Sequence, residues 1–196
     1  MTLEFENELF SKGFKSVCGI DEAGRGPLAG PVCAAAVILN TNDIPEGIND
    51  SKKLTEKKRE ALYDKIMESA IVSYSLVDAK IIDEINIRQA TILAMQNAAK
   101  GMAVKPDFLL IDGNFTIGLS KNEKFVIGGD AKSLSIGAAS IIAKVTRDRL
   151  MLEIDKEYPM YNFKKHKGYG TKEHIEAIKK YGPCPYHRQS FLTKIL

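Results

Sequence analysis

Val17 to Leu39 reads VCGIDEAGRGPLAGPVCAAAVIL, and the fold turns on it. Two apolar, β-branched runs flank a polar loop, which is the pattern of two strands meeting at a turn. The first run, Ser16–Ile20, is expected to stop at Asp21-Glu22, two adjacent carboxylates set against a buried segment. Gly24-Arg25-Gly26-Pro27 then makes a tight loop, where missing side chains let backbone approach a ligand closely. Pro31 opens the second strand, Val32–Leu39. This order of residues suggests cation binding at the carboxylates and anion contact at the glycine-flanked arginine. Gly24, Gly26 and Ala29 also fit the G-x-G-x-x-A spacing of a dinucleotide-binding turn. That motif must open a helix whose N-terminus faces the pyrophosphate. Here Pro27 and Pro31 lead into a strand, which excludes it.

Outward from this hairpin, residues 1–14 read as a short amphipathic helix ending at Gly13. Downstream, Asp50-Ser51-Lys52-Lys53 precedes a helix over 55–69 whose apolar stripe is Leu62, Ile66 and Met67. Ile71–Val77 alternates as a third strand. Helical stretches over 79–84 and 87–100 follow, the second burying Ile92, Leu93, Met95 and Ala99. Phe108–Ile111 is an apolar strand ending on Asp112-Gly113, and Phe125–Ile127 a short fifth strand leading to Asp130. Ser133–Glu157 is one long helix, its first half rich in small residues and so able to lie close to a sheet. After Pro159 come the loop 166–170, a helix capped by Thr171, and a tail of no regular pattern.

Strands joined by short connections, then strands alternating with helices, predict an α/β fold with a mixed five-stranded sheet flanked by helices. The first strand would be central, antiparallel to the second and parallel to Phe108–Ile111. Asp21, Glu22 and Asp112 would then emerge together at the strand ends where open α/β sheets place ligands, with Asp130 close enough to join them. Four carboxylates at one place need protons or cations to compensate their repulsion. Oxygen donors without histidine or cysteine favour Mg²⁺ or Mn²⁺ over zinc. Taken singly, Asp112 reads equally as a strand-end cap and Asp130 as an acid complementing a helix dipole. Those readings leave unexplained why both strands end in acids.

The chain has 196 residues, is 44% hydrophobic and 27% charged, and carries a net charge of +3. That is one globular domain over 1–196, with a helical C-terminal extension over about 158–196, and without overall basic character. A local basic face is expected from Lys52, Lys53, Lys144, Lys164, Lys165 and Lys167. Cys18, Cys33 and Cys184 lack paired spacing and read as reduced thiols, and Cys184-x-x-His187 is too little for zinc. No apolar run reaches membrane-spanning length and the N-terminus is too acidic for a signal peptide, so a cytoplasmic protein is expected.

The motifs GIDEAGRGPLAGPV at 19–32, DSKKL at 50–54, NIRQATILAMQNA at 86–98 and LLIDGN at 109–114 resemble the bacterial ribonuclease HII family, the type 2 ribonucleases H. The likeness continues through GGDAKSLSIGAASIIAKVTRD at 128–148, HKGYGTKEH at 166–174 and HRQSF at 187–191, nearly the whole chain. It implies a ribonuclease H-like fold and cleavage of RNA in RNA–DNA hybrids. It also implies cutting 5′ of ribonucleotides embedded in duplex DNA, to 3′-hydroxyl and 5′-phosphate ends, with two Mg²⁺ or Mn²⁺ ions and a role in removing ribonucleotides from DNA.

By the same resemblance, Asp21, Glu22, Asp112 and Asp130 match the metal-binding acids. Gly24, Arg25 and Gly26 match the loop that senses the ribose 2′-hydroxyl, Tyr169 the tyrosine that reads the RNA–DNA junction, and Lys52 and Lys144 phosphate contacts. Read alone, Tyr169 is a half-buried loop aromatic and DSKKL a solvated basic segment. Gly128 and Gly137 depart from the family pattern without touching a ligand position. The tail QSFLTKIL lacks the aromatic pair of a sliding-clamp peptide, so no clamp partner is expected; a monomer is.

Overall fold

The computed structural model describes residues 1–196. Strands β1 (Val17–Ala23), β2 (Val32–Ile38), β3 (Ile71–Val77), β4 (Phe108–Asp112) and β5 (Glu123–Val126) form one mixed sheet in the order β3-β2-β1-β4-β5. β1 is central, antiparallel to β2 and parallel to β4, as the sequence predicts. Helices α1 (Glu4–Ser11), α2 (Glu56–Ser69), α3 (Ala79–Lys100) and α4 (Leu134–Glu157) surround the sheet. Shorter helices α5 (Phe163–His166), α6 (Lys172–Tyr181) and α7 (Gln189–Leu192) make up the C-terminal part.

The alternation of β2 divides the core. Val32, Ala34 and Ala36 pack with Cys18 and Ile20 of β1 against α3. Cys33, Ala35 and Val37 pack against α2 and the small residues of α4. These side chains are small because α4 lies almost on the sheet. A Cβ at Gly19 would collide with the Ser135–Ile136 backbone. Buried Glu6 of α1 secures the start of α4, accepting hydrogen bonds from Ser133 Oγ at 2.6 Å, Ser135 N at 3.1 Å and Ser135 Oγ. A carboxylate there also complements the helix dipole.

Several expectations are corrected. β1 does not stop at Ile20: it runs through Asp21 and Glu22, because buried Ala35 and Ala34 of β2 pair opposite them and prolong the ladder. Met67 is 41% exposed; only Leu62 and Ile66, one turn apart, bury on α2. On α3 the buried face is Ala90, Thr91, Ala94, Met95, Ala98 and Ala99, while Ile92 and Leu93 are half-buried beside it. The two expected segments of α3 do meet at a break, Asn86, with φ 66°, whose Oδ1 caps Arg88 N and Gln89 N. β5 lies earlier than 125–127 and leaves Phe125 and Ile127 exposed at the sheet edge. The tail is ordered by α7, which packs Leu192 inward.

Candidate active site

The register Ile20↔Ile111 sets Asp21 and Asp112 side by side on neighbouring strands. Asp21 is 4% exposed, and its Oδ1 accepts from Glu22 N at 2.7 Å. Asp112 ends β4, and its Oδ1 accepts from Asp130 N at 3.2 Å, tying the turn Gly129–Ala131 to the strand end. Asp130 Oδ2 accepts from Lys52 Nζ at 3.1 Å, and Glu22 Oε1 from Arg25 Nη1 at 3.4 Å. Burial, then the charges of Glu22 and Asp112, hold the Asp21 carboxyl well above the usual carboxylate range. Burial raises Glu22 and Asp112 as well; Arg25 works against the first shift, and Asp130 adds to the second. The set is short of positive charge.

Lys52 and Lys53 are solvent-exposed, the Lys52 side chain by 77%, on a backbone that neighbouring residues fix. Asp50 Oδ1 accepts from Lys52 N at 3.0 Å, and buried Ser51 meets Ser140 of α4, Oγ to Oγ, at 2.9 Å. Arg59 Nη1 donates to Ser51 O and Leu54 O at 2.7 and 2.6 Å. Against the cost of burial, the hydrogen bond and charge of Asp130, with Asp21 and Asp50, raise the Lys52 ammonium.

One cleft is lined by Glu22, Gly24, Arg25, Gly26, Lys52, Lys144 and Tyr169, seven of the ten residues singled out in the sequence. Asp21, Asp112 and Asp130 lie beyond its acidic end, joined to it through Glu22 and Lys52. Tyr169 is 44% exposed, and a Cβ on Gly26 would lie 3.8 Å from its ring. Lys144 is turned to Asp148 at 2.8 Å. Lys164 and Lys165 face Asp155 and Glu173 at 3.9 and 2.7 Å, so the expected basic face is partly neutralised.

Sequence reading passed over two residues here. Arg147 and Arg188 are 1% and 0% exposed, and neither forms an ion pair. Arg147 donates to the carbonyls of Ala29, Pro31 and Lys167 at 2.9–3.0 Å. Arg188 donates to those of Gly24, Arg25 and Gly30 at 2.6–3.0 Å. Burial, then the charge of Arg147, pushes Arg188 down to about 9, so it stays protonated at neutral pH. One signal was available: Arg147 sits four residues after Ala143 and four before Met151, on the buried face of α4.

Behind Tyr169 the protein's three histidines form a buried cluster with Cys184. Cys184 N donates to His187 Nδ1 at 2.9 Å, so His187 carries its proton on Nε2. That proton faces His174 Nε2 at 3.0 Å, and His174 Nδ1 donates in turn to Tyr169 O at 2.9 Å. His166 Nε2 donates to Tyr161 O at 2.8 Å, and its Nδ1 accepts from Gly168 N at 3.2 Å. Burial lowers His174 and His187 to about 4 and also lowers His166. The Cys-x-x-His pair is thus a hydrogen-bonded turn.

Comparison with known proteins agrees with this geometry. The family described as Ribonuclease HII matches residues 18–194. Ribonuclease HII of Caldicellulosiruptor bescii is 56% identical over 194 residues, covering 98% of this chain and 94% of the relative. That of Endomicrobium trichonymphae is 58% identical, covering 95% and 90%. The ribonuclease H2 structure from Pyrococcus horikoshii superposes with a TM-score of 0.78 at 28% identity, covering 92% of this chain and 97% of that one. A Bst-RNase HIII structure in complex with Mn²⁺ shares the fold at a TM-score of 0.73 and 18% identity, over 92% of this chain and 68% of that one. The mixed sheet with its C-terminal helices is the ribonuclease H fold, and the chain belongs to the ribonuclease HII family.

Proposed function

We propose that this ribonuclease H cuts RNA in RNA–DNA hybrids and also cuts duplex DNA 5′ of a single embedded ribonucleotide, leaving 3′-hydroxyl and 5′-phosphate ends. The observation that carries the reading is the placing of the glycine loop and Tyr169 in one cleft with Glu22 and Lys52, next to the other acids. Such a cleft suits a polymer. The larger cavity, lined by Ala99, Lys100, Met102, Lys105, Leu109 and Leu119, has no carboxylate with which to hold a catalytic metal ion.

Asp21, Glu22, Asp112 and Asp130 are the groups proposed to hold divalent cations. The fit lies in donor chemistry and charge: oxygen donors only, three of them raised by burial and by one another, with Lys52 alone reaching Asp130. No trio of His, Cys, Asp or Glu is already gathered at ligating distance of a common point. Mg²⁺ or Mn²⁺ bound here, as a pair, would activate water and stabilise the leaving oxygen at phosphorus. The chain's own part is positional. Backbone at Gly24–Gly26 comes within reach of a 2′-hydroxyl, the group that distinguishes RNA from DNA. The exposed ring of Tyr169 offers a stacking platform for the neighbouring sugar, and Lys52 and Lys144 neutralise phosphates.

No helix is long and apolar enough to cross a membrane, and a cytoplasmic monomer is proposed. In the tail, Leu192 is buried and Phe191 packs against the α3 side of the core, so these side chains are not offered to a clamp. A duplex with one ribonucleotide, incubated with and without Mg²⁺ or Mn²⁺, tests the reading. A metal-dependent nick 5′ of that ribonucleotide, with an end that a polymerase extends, is expected; an intact duplex overturns it.

A further inference from the structure

The cleft side of the 24–31 loop is set by the two buried arginines. Arg188 Nη2 and Nη1 donate to two consecutive carbonyls, Gly24 O at 2.6 Å and Arg25 O at 2.9 Å. In a trans peptide the carbonyl and the next N–H point in opposite directions. With both oxygens drawn inward, the N–H groups of Arg25 and Gly26 point away from Arg188, and neither donates within the protein. Gly24 takes φ 93°, and a Cβ there would collide with Arg147, so the backbone lies directly on that side chain. Arg147 fixes the other end of the loop through Ala29 O and Pro31 O, and reaches Lys167 O on the Tyr169 segment.

Both guanidinium groups are buried without a carboxylate partner. Burying a cation is costly unless something returns the energy. Carbonyl dipoles meet that cost in part while leaving the net positive charge beneath the loop. Two successive outward N–H groups above buried positive charge form an acceptor-oxygen site.

We propose that Arg188, with Arg147, is a positioning residue that aims the N–H groups of Arg25 and Gly26 at an acceptor oxygen of the nucleotide being cut. That oxygen belongs to the ribose 2′-hydroxyl or to the adjacent phosphate. This rests on the proposed cutting reaction.

Wild-type protein is first tested on the single-ribonucleotide duplex, since failure to cut sinks the reaction itself rather than this inference. Arg188→Lys then keeps the charge but loses the fork. It is expected to remain folded, with kcat down about tenfold or more, about the factor carried by one lost hydrogen bond, and KM changed much less. A further fall on Arg188→Ala supports the charge component. Wild-type kcat and KM in Arg188→Lys overturn the proposal.

A second measurement needs no variant. Amide exchange at Arg25 and Gly26 is followed in EDTA, which prevents cutting, with the ribonucleotide duplex or its all-DNA counterpart. Protection by the ribonucleotide duplex alone assigns the acceptor to the 2′-hydroxyl, and protection by both assigns it to phosphate. Protection by neither overturns the proposal, whatever the variants show.

Discussion

Two clusters of buried titratable side chains flank Tyr169 and the glycine loop, and they solve burial in opposite ways. At the ends of β1 and β4 the carboxylates stay short of positive charge, and three of them are pushed upward. Behind Tyr169 the three histidines are neutral: the chain from Cys184 N to Tyr169 O satisfies the ring nitrogens of His187 and His174, and Tyr161 O and Gly168 N satisfy those of His166. By residue type either cluster resembles a metal site. The difference lies in what remains unsatisfied: the acids have lone pairs and charge left for an ionic ligand, and the histidines have spent theirs on the scaffold.

Breaking the acidic cluster is expected to give the largest effect. Asp112→Asn should reduce cleavage below detection, about a thousandfold or more, while leaving duplex binding largely intact, since it also removes charge that repels phosphate. Turnover retained with Mg²⁺ would take Asp112 out of the catalytic set. Tyr169→Ala comes next. Losing a stacking platform removes ~1–3 kcal/mol, or about one to two decades of kcat/KM on a single-ribonucleotide duplex. Tyr169→Phe should fall between it and wild type, at unchanged melting temperature. Alanine and wild type cutting alike would make Tyr169 a structural residue only.

Acidification sharpens the comparison, because the two clusters respond with opposite sign. Ordinary histidines titrate near 6.5, whereas folded His174 and His187 titrate near 4. Between those values the folded state binds fewer protons than the unfolded one. Stability present above pH 6.5 is therefore lost as pH falls, at about 1.4 kcal/mol per pH unit for each histidine. Asp21, Glu22 and Asp112 are raised, so protonating them stabilises the metal-free fold as pH falls through their folded values. In urea melts in EDTA from pH 7 to 4, Asp21→Asn, which lacks one opposing carboxylate, should lose stability more steeply than wild type as pH falls. A loss no steeper than that of wild type would contradict the assignment.

The smallest effect is expected at the rim. Lys52→Ala should weaken duplex binding a few-fold and lower the log–log salt slope by about 0.9, the share of one phosphate contact. An unchanged slope and affinity would leave Lys52 as a partner of Asp130 only.

The strands themselves, the four acids and the glycine loop were legible in the sequence, because each is local; the central place of β1 followed from the pattern of connections. A strand shows as an apolar run, a turn as glycine and proline, and an acid at a strand end as a break in the pattern. β1 was cut short because the residues that prolong it, Ala34 and Ala35, belong to the opposite strand of the hairpin. Met67 was placed inside because a helix stripe predicts direction and not the width of the covering layer.

What only tertiary structure decided is the support of the site. Arg147 meets Pro31 across 116 residues, and Arg188 meets Gly24 across 164. His174 and His187 come from α6 and from the segment before α7. Sequence determines the pattern of polar and apolar groups over a few residues, and hence which elements form and which chemistry they carry. The partner of a buried arginine or histidine is a backbone carbonyl, N–H or ring nitrogen brought close only when distant segments pack. A carbonyl is present at every residue, so no residue type announces it.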